Sequence, residues 1–277
     1  MNKRKLFFLS ILIFICCIIV FYHSILNMAD IKYKVPYSNN VAREDLQGRT
    51  YKKITITKIK DEKIAFLTFD DGPCLNNTLK ILNILNENNI KATFFVVGKQ
   101  IEKFPVITNK MVEKEMSVMP HSYSHEYKKI YKSIEAYKED LERCCSVIEN
   151  ITGQKSGVYV RVPGGANNRY CNKAVIEAIR ETIREKDMFC VDWNVSGGDA
   201  VAGKIPAKII KDNVLSQCEG KKIAVILLHD AYYKDSTVEA LPDIIRGLKE
   251  EGYKFKTFND ITLEERKRLM RIRVINV

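Results

Sequence analysis

The stretch IAFLTFDDGP, residues 64–73, decides how the rest of the chain is read. Apolar, aromatic and β-branched residues run on without alternation and stop at two adjacent carboxylates; Gly72 and Pro73 follow. A short unbroken apolar run closed by turn residues reads as a strand buried on both faces. Runs of the same kind recur as ATFFVVG (92–98), MSVM (116–119), GVYVRV (157–162), MFCVDW (188–193), KIAVILL (222–228) and YKFKTF (253–258). Helix-like stretches lie between them, at 76–89, 133–152, 171–186, 206–218 and 238–252. Strand–helix alternation argues for a parallel sheet covered by helices. Seven such runs between residues 63 and 260 suit an α/β fold, a distorted and incomplete (β/α) barrel of about seven parallel strands.

Outside that region the chain changes character. Residues 1–5, MNKRK, carry three positive charges, and residues 6–22 are apolar except for Ser10. At ~1.5 Å per residue a helix of that length covers most of a ~30 Å hydrocarbon core. A cleaved signal peptide usually has an apolar stretch of about 7–15 residues ending in a small-x-small site. This stretch is longer and ILNMAD (25–30) is a poor cleavage site, so the reading is an uncleaved single-pass anchor in the cell membrane. The positive flank stays inside, which puts everything after Tyr22 outside the cell. The expected organisation is a basic flank and transmembrane anchor over 1–28, then a stalk with a short β segment over 29–62. A catalytic domain over 63–260 and a basic C-terminal tail over 261–277 complete it.

The 277-residue chain carries a net charge of +11, which favours an anionic neighbour. No zinc-finger spacing, RNP signature or basic recognition helix is present, so nucleic acid is not the expected partner. An exported domain facing anionic wall polymer explains the charge better. The run ERKRLMRIR (265–273) reads first as a solvated helix end, with a phosphate-rich polymer or lipid headgroups as the sharper alternative. Eight cysteines show no paired CxxC spacing. Disulfides are permitted outside the cell, and adjacent Cys144 and Cys145 on a helix point apart.

Residues able to do chemistry follow the apolar runs: Asp70 and Asp71, His121, Arg161, Asp192 with Trp193, and His229 with Asp230. In a parallel barrel all C-terminal strand ends open on one face, so these segments should meet at one mouth. Of four histidines, His121, His125 and His229 all lie at or just beyond strand ends, while His23 borders the apolar N-terminal stretch. The spacing of His121 and His125 in PHSYSH places both imidazoles on one face of a helical turn, where they can share a metal. Two histidines and one carboxylate leave positions open for water and substrate, and Asp71 is the nearest carboxylate of the right kind. Zn²⁺ suits the set; Co²⁺, Ni²⁺ or Mn²⁺ also fit. Asp-Gly-Pro alone is ordinary turn chemistry. Neighbours on an extended chain point in different directions, so one acid can bind the metal while the other takes a proton from an attacking water.

These residues, in this order, resemble the polysaccharide deacetylase family, carbohydrate esterase family four. TFDDG (68–72) implies Asp70 as general base and Asp71 as metal ligand; HSYSH (121–125) implies His121 and His125 as ligands. RVP (161–163) implies that Arg161 orients the base, and Asp192 beside Trp193 matches the family's acid-and-tryptophan motif. VILLH (225–229) implies His229 as general acid and Leu227 as lining of the acetyl pocket. The resemblance covers residues 63–258 and implies a distorted barrel of parallel strands. The chain departs from the family in places. Gly164 stands where an aromatic residue usually follows the proline, keeping the backbone N–H that helps hold the oxyanion but losing a ring that shapes the groove. Pro120 precedes the first histidine where a small polar residue is commoner, and 115–119 lack the usual acidic and glycine pattern.

The expected reaction is metal-dependent removal of N-acetyl groups from peptidoglycan amino sugars. A carboxylate such as Asp192 is expected to raise the pKa of His229. The alternatives are an O-acetyl polysaccharide or xylan esterase, a chitin-type deacetylase, or an anchored, catalytically silent wall-binding module.

Overall fold

A computed structural model describes residues 62–276 apart from 167, 169, 202 and 203. The expected anchor at 6–22, the stalk up to 61 and the β segment at 51–59 lie outside the described residues. Among those described, no helix is long and apolar enough to cross a membrane. They belong to one compact unit, Lys60–Val277.

The strands are β1 (Lys63–Asp70), β2 (Thr93–Val97), β3 (Ser117–Ser122), β4 (Tyr159–Val160), β5 (Phe189–Val191), β6 (Val195–Ser196), β7 (Ile223–His229), β8 (Tyr253–Phe255) and β9 (Ile275–Asn276). A parallel sheet runs β3-β2-β1-β7-β6, with β8 pairing the start of β1. A second, three-stranded sheet runs β4-β5-β9, and only β9 in it is antiparallel. The strands therefore divide between two sheets instead of forming one ring of seven. A backbone hydrogen bond from Arg161 N–H to the Pro120 carbonyl, 3.3 Å, links β4 to β3.

Helices α1 (Asn77–Glu87), α3 (Pro105–Glu113), α5 (Ile134–Thr152), α7 (Ala207–Cys218) and α8 (Asp235–Glu250) follow or precede strands as the alternation predicts. Short helices α2 (Gly98–Lys103) and α4 (Tyr127–Ile130) fill turns, and α6 (Lys173–Glu185) leads into β5.

The two periodicities of the strands build two cores. On β1, Ala65, Leu67 and Phe69 pack under the helices, while Ile64 and Phe66 face the inner cluster. On β7, Ala224, Ile226 and Leu228 belong to the outer core; Ile223 and Val225 belong to the inner one. The inner cluster also takes Phe95, Tyr159, Val191 and Phe258, so both sheets surround one interior, as in a barrel. Fully burying each such side chain is worth about 1.5–3 kcal/mol. Because side chains alternate, the parity that buries Ile64 and Phe66 inward also sends Thr68 and Asp70 inward. The same parity on β7 sends Leu227 and His229 inward, and on β3 it sends Met119 and His121 inward.

The stretch read as a basic tail contains α9 (Leu263–Arg271), opened by a capping box in which Thr262 and Glu265 satisfy each other's backbone N–H groups at 3.2 and 2.8 Å. Its Leu269, with Val274 and Ile275, is buried in the inner core. The six described cysteines are all free thiols.

Candidate metal and catalytic site

Three ligand atoms from two strand ends converge at the mouth. Asp71 Oδ1 lies 3.5 Å from His121 Nε2 and 3.2 Å from His125 Nε2. One ligand atom from each residue falls within 4.8 Å of the other two. Asp71 (φ 79°) and His125 (φ 55°) both adopt left-handed backbone, costly for residues other than glycine and concentrated at functional sites. The reading of His121 and His125 as neighbours on a helical turn is corrected here. His121 ends β3, and a tight turn brings His125 back beside it, with ring centroids 5.1 Å apart. That turn is held by Asp140 on α5, whose carboxylate accepts from the Ser122 hydroxyl at 2.5 Å and from the backbone N–H of Tyr123 and Ser124 at 2.7 and 3.0 Å. Ser122 Oγ in turn accepts from the His125 N–H at 2.8 Å.

The donor chemistry fits a divalent cation. Burial works to raise the Asp71 pKa, but the surrounding imidazoles of His121, His125 and His229 hold its carboxyl well below the usual carboxylate range. Burial pushes the His125 imidazole below its ordinary value. His121 Nδ1 lies 2.7 Å from the Arg161 carbonyl; a carbonyl only accepts, so the proton sits on Nδ1 and Nε2 is left as the donor atom. An ionised carboxylate and two imidazoles with free ring nitrogens are what a borderline metal takes.

Asp70 and His229 flank this set. They are direct register partners on β1 and β7. Arg161, fully buried, reaches Asp70 Oδ1 at 2.8 Å with Nη1 and the Thr68 hydroxyl at 2.7 Å with the same nitrogen. Its other nitrogens bond the carbonyls of Val191 and Asp192 at 3.1 and 3.2 Å, and its guanidinium lies over the Phe95 ring at 4.2 Å. A guanidinium tied at this many points is a rigid clamp on the carboxylate.

The carboxylate that acts on His229 is Asp199, and the expectation for Asp192 is corrected. Asp199 Oδ1 lies 2.9 Å from His229 Nδ1, and its Oδ2 accepts from the His229 N–H and the Thr237 hydroxyl, each at 2.8 Å. Lys234 donates to the Asp199 carbonyl. Burial opposes the charged imidazole, but the hydrogen bond and charge of Asp199 raise the His229 pKa to about 9. Asp192 spends its two oxygens on Ala166 N–H at 2.9 Å and Asn276 at 3.2 Å. It thereby holds the 163–166 loop and does not meet His229.

Asp230, which follows His229 at the end of β7, has no role assigned from the sequence. Its Oδ2 accepts from Thr78 at 2.6 Å, it is fully buried, and burial pushes its pKa up to about 7. It closes against Gly72 so tightly that a Cβ there would fall 2.0 Å from Oδ2. Only glycine fits the turn beneath Asp71.

Around the mouth, Leu227 is buried on β7 and the Trp193 ring lies 5.8 Å from the Arg161 guanidinium. Gly164 has φ 79°, and a Cβ on it would sit 3.3 Å from the Tyr127 ring and 3.4 Å from its hydroxyl. Tyr127, from α4, thus stands beside the position where the family usually carries its ring. It meets His125 edge-on at 5.3 Å and Tyr170 at 4.1 Å.

The sequence model of the family described as polysaccharide deacetylase matches residues 57–181. A Bacillus cereus peptidoglycan-N-acetylglucosamine deacetylase is 34% identical over 205 residues, covering 73% of this chain and 71% of that protein. The peptidoglycan-N-acetylmuramic acid deacetylase PdaA of Bacillus subtilis is 29% identical over 208 residues, covering 75% and 74%. The catalytic domain of a peptidoglycan N-acetylglucosamine deacetylase from Eubacterium rectale superposes with a TM-score of 0.66 at 33% identity, over 73% of this chain and 89% of that one. The fold and the site together define a carbohydrate-deacylating hydrolase, and the chain belongs to the polysaccharide deacetylase family.

Proposed function

We propose that the chain is a divalent-metal-dependent N-deacetylase acting on the amino sugars of peptidoglycan, and that it works outside the cell, held in the membrane by residues 6–22. The observation that carries the chemistry is the cluster of Asp71, His121 and His125, with Asp70 and His229 in register beside it. Asp71, His121 and His125 would hold the ion, most simply Zn²⁺. When bound, such an ion supplies Lewis acidity, lowering the pKa of a water from ~15.7 towards ~7 and polarising the acetyl carbonyl.

The chain's own residues supply the rest. Asp70, kept in place by Arg161, accepts a proton from the attacking water as the new C–O bond forms. The backbone N–H of Gly164 is the candidate donor to the developing oxyanion; one such donor is commonly worth about 3–4 kcal/mol. Leu227 and Trp193 shape the acetyl pocket. His229, protonated under the influence of Asp199, gives its proton to the nitrogen as the C–N bond breaks. Acetate and a free amine leave.

The relatives' names support peptidoglycan as the polymer, and the net charge of +11 suits an anionic wall. Muropeptide mass spectrometry after digestion of treated peptidoglycan tests the substrate. The expected result is loss of acetyl groups from glucosamine or muramic acid residues; loss of O-linked acetyl groups alone would contradict it. Fractionation tests the location: intact chain in the membrane fraction is expected, and soluble protein shortened by the N-terminal stretch would overturn it.

A further inference from the structure

At the end of the fold opposite the mouth, where the parallel strands begin, lies a cavity of about 610 Å³ that the proposed chemistry does not use. It opens beside the start of β7, the residues following β5, and the C-terminal part of α9. Lys221, Arg268 and Arg271 bring cationic groups to its lining. Lys221 and Arg268 are half-buried, and Arg271 is exposed and meets Glu264 at 3.1 Å on its outer side. The remaining wall is mostly apolar: Ile223 at the floor and Ile272, 48% exposed, at the rim. Part of the ERKRLMRIR run therefore faces a concavity and does more than end a helix in solvent.

Cationic heads around an apolar floor fit a ligand with an anionic headgroup joined to hydrocarbon. A soluble polyphosphate polymer would use the cations and leave the exposed Ile272 at the rim uncovered, whereas an amphiphile uses both. Long basic side chains are drawn to anionic lipid headgroups. The chain also enters the fold beside this cavity: the Ile64 N–H at the start of β1 bonds the Lys222 carbonyl at 2.9 Å. We infer that this cavity binds the headgroup and proximal acyl chain of an anionic phospholipid. The inference rests on the membrane location proposed above, but its test does not.

The full-length chain in neutral detergent would be titrated calorimetrically with dihexanoyl phosphatidylglycerol, dihexanoyl phosphatidylcholine and inorganic phosphate. Saturable binding of the glycerol lipid at least tenfold tighter than of the choline lipid is expected. Lys221→Glu/Arg268→Glu should lose at least tenfold in that affinity while metal content and turnover on a soluble acetylated oligosaccharide stay unchanged. Ile272→Asn should weaken the lipid severalfold and leave any phosphate binding unaltered. Equal binding of both lipids, a charge-reversed variant that binds like the parent, or inorganic phosphate binding as tightly as the glycerol lipid would each overturn the inference. Failure of membrane fractionation with retained lipid binding would refute the anchor and leave the cavity's ligand standing.

Discussion

Asp70 and His229 sit directly opposite each other, as register partners on two adjacent parallel strands. Their side chains emerge on the same inward face because strand parity repeats every second residue. In the proposed reaction they would serve as base and acid, with the Asp71, His121 and His125 cluster beside them at the mouth.

The pairing of His229 with Asp199 sets a pH dependence. The His229 pKa rises from its ordinary 6.5 to about 9. A general acid must be protonated, so turnover should hold through neutral pH and fall as pH rises through about 9. Asp199→Asn should move that alkaline limb down towards 6.5 and lower kcat on the order of 10²-fold. The sign for stability is the same: the stabilisation is fully present below about pH 6.5 and lost as pH rises through the folded value. A pH–rate profile of parent and variant checks this; an unmoved alkaline limb would refute the role of Asp199.

Asp70→Asn should abolish most turnover, by roughly 10²–10⁴-fold, with metal content unchanged. The carboxylate is clamped by Arg161 and does not belong to the ligand cluster. Metal analysis beside acetate release separates the two effects, and near-normal acetate release would remove Asp70 from the role of base.

Asp140 touches no ligand atom of the site, yet it fixes the turn that returns His125 to His121. Asp140→Ala should weaken metal binding by roughly 10–100-fold while the domain stays folded. His125→Ala should lose both metal and turnover. Competition with a fluorescent chelator reads the affinity, and an unchanged value in Asp140→Ala would contradict the assignment.

Tyr127 stands where Gly164 provides no ring. Tyr127→Ala should raise KM on a polymeric substrate by roughly fivefold, about 1 kcal/mol, with little change in kcat. Steady-state kinetics on a long and a short acetylated oligosaccharide check this; a fall in kcat alone would show that the ring supports His125 and not the substrate.

Much of this was legible in the sequence because it follows from strand parity and from what ends each strand. IAFLTF and IAVILL are long enough to read, so Asp70, Asp71 and His229 were placed with them. Asp199 was missed because β6 is only two residues, Val195–Ser196, too short to show a pattern; seen as a strand, its following acid fits the same rule. The histidine pair converged for a reason other than the one expected, a strand end and a left-handed turn in place of a helix. The spacing alone cannot tell these apart, because Asp140, which stabilises the turn, is distant in sequence. The run at 265–273 reads as a solvated helix end, and its burial hid behind its charge: one buried face carried by Leu269 is too faint a stripe among the basic residues.

The most direct measurement of the central claim is the yield of acetate and of free amine from purified peptidoglycan, before chelation, after chelation and after Zn²⁺ is restored. Equal yields of the two products, lost on chelation and regained with the ion, are predicted. Acetate release indifferent to the chelator, or without matching amines, would contradict a metal-dependent N-deacetylase built on Asp71, His121 and His125.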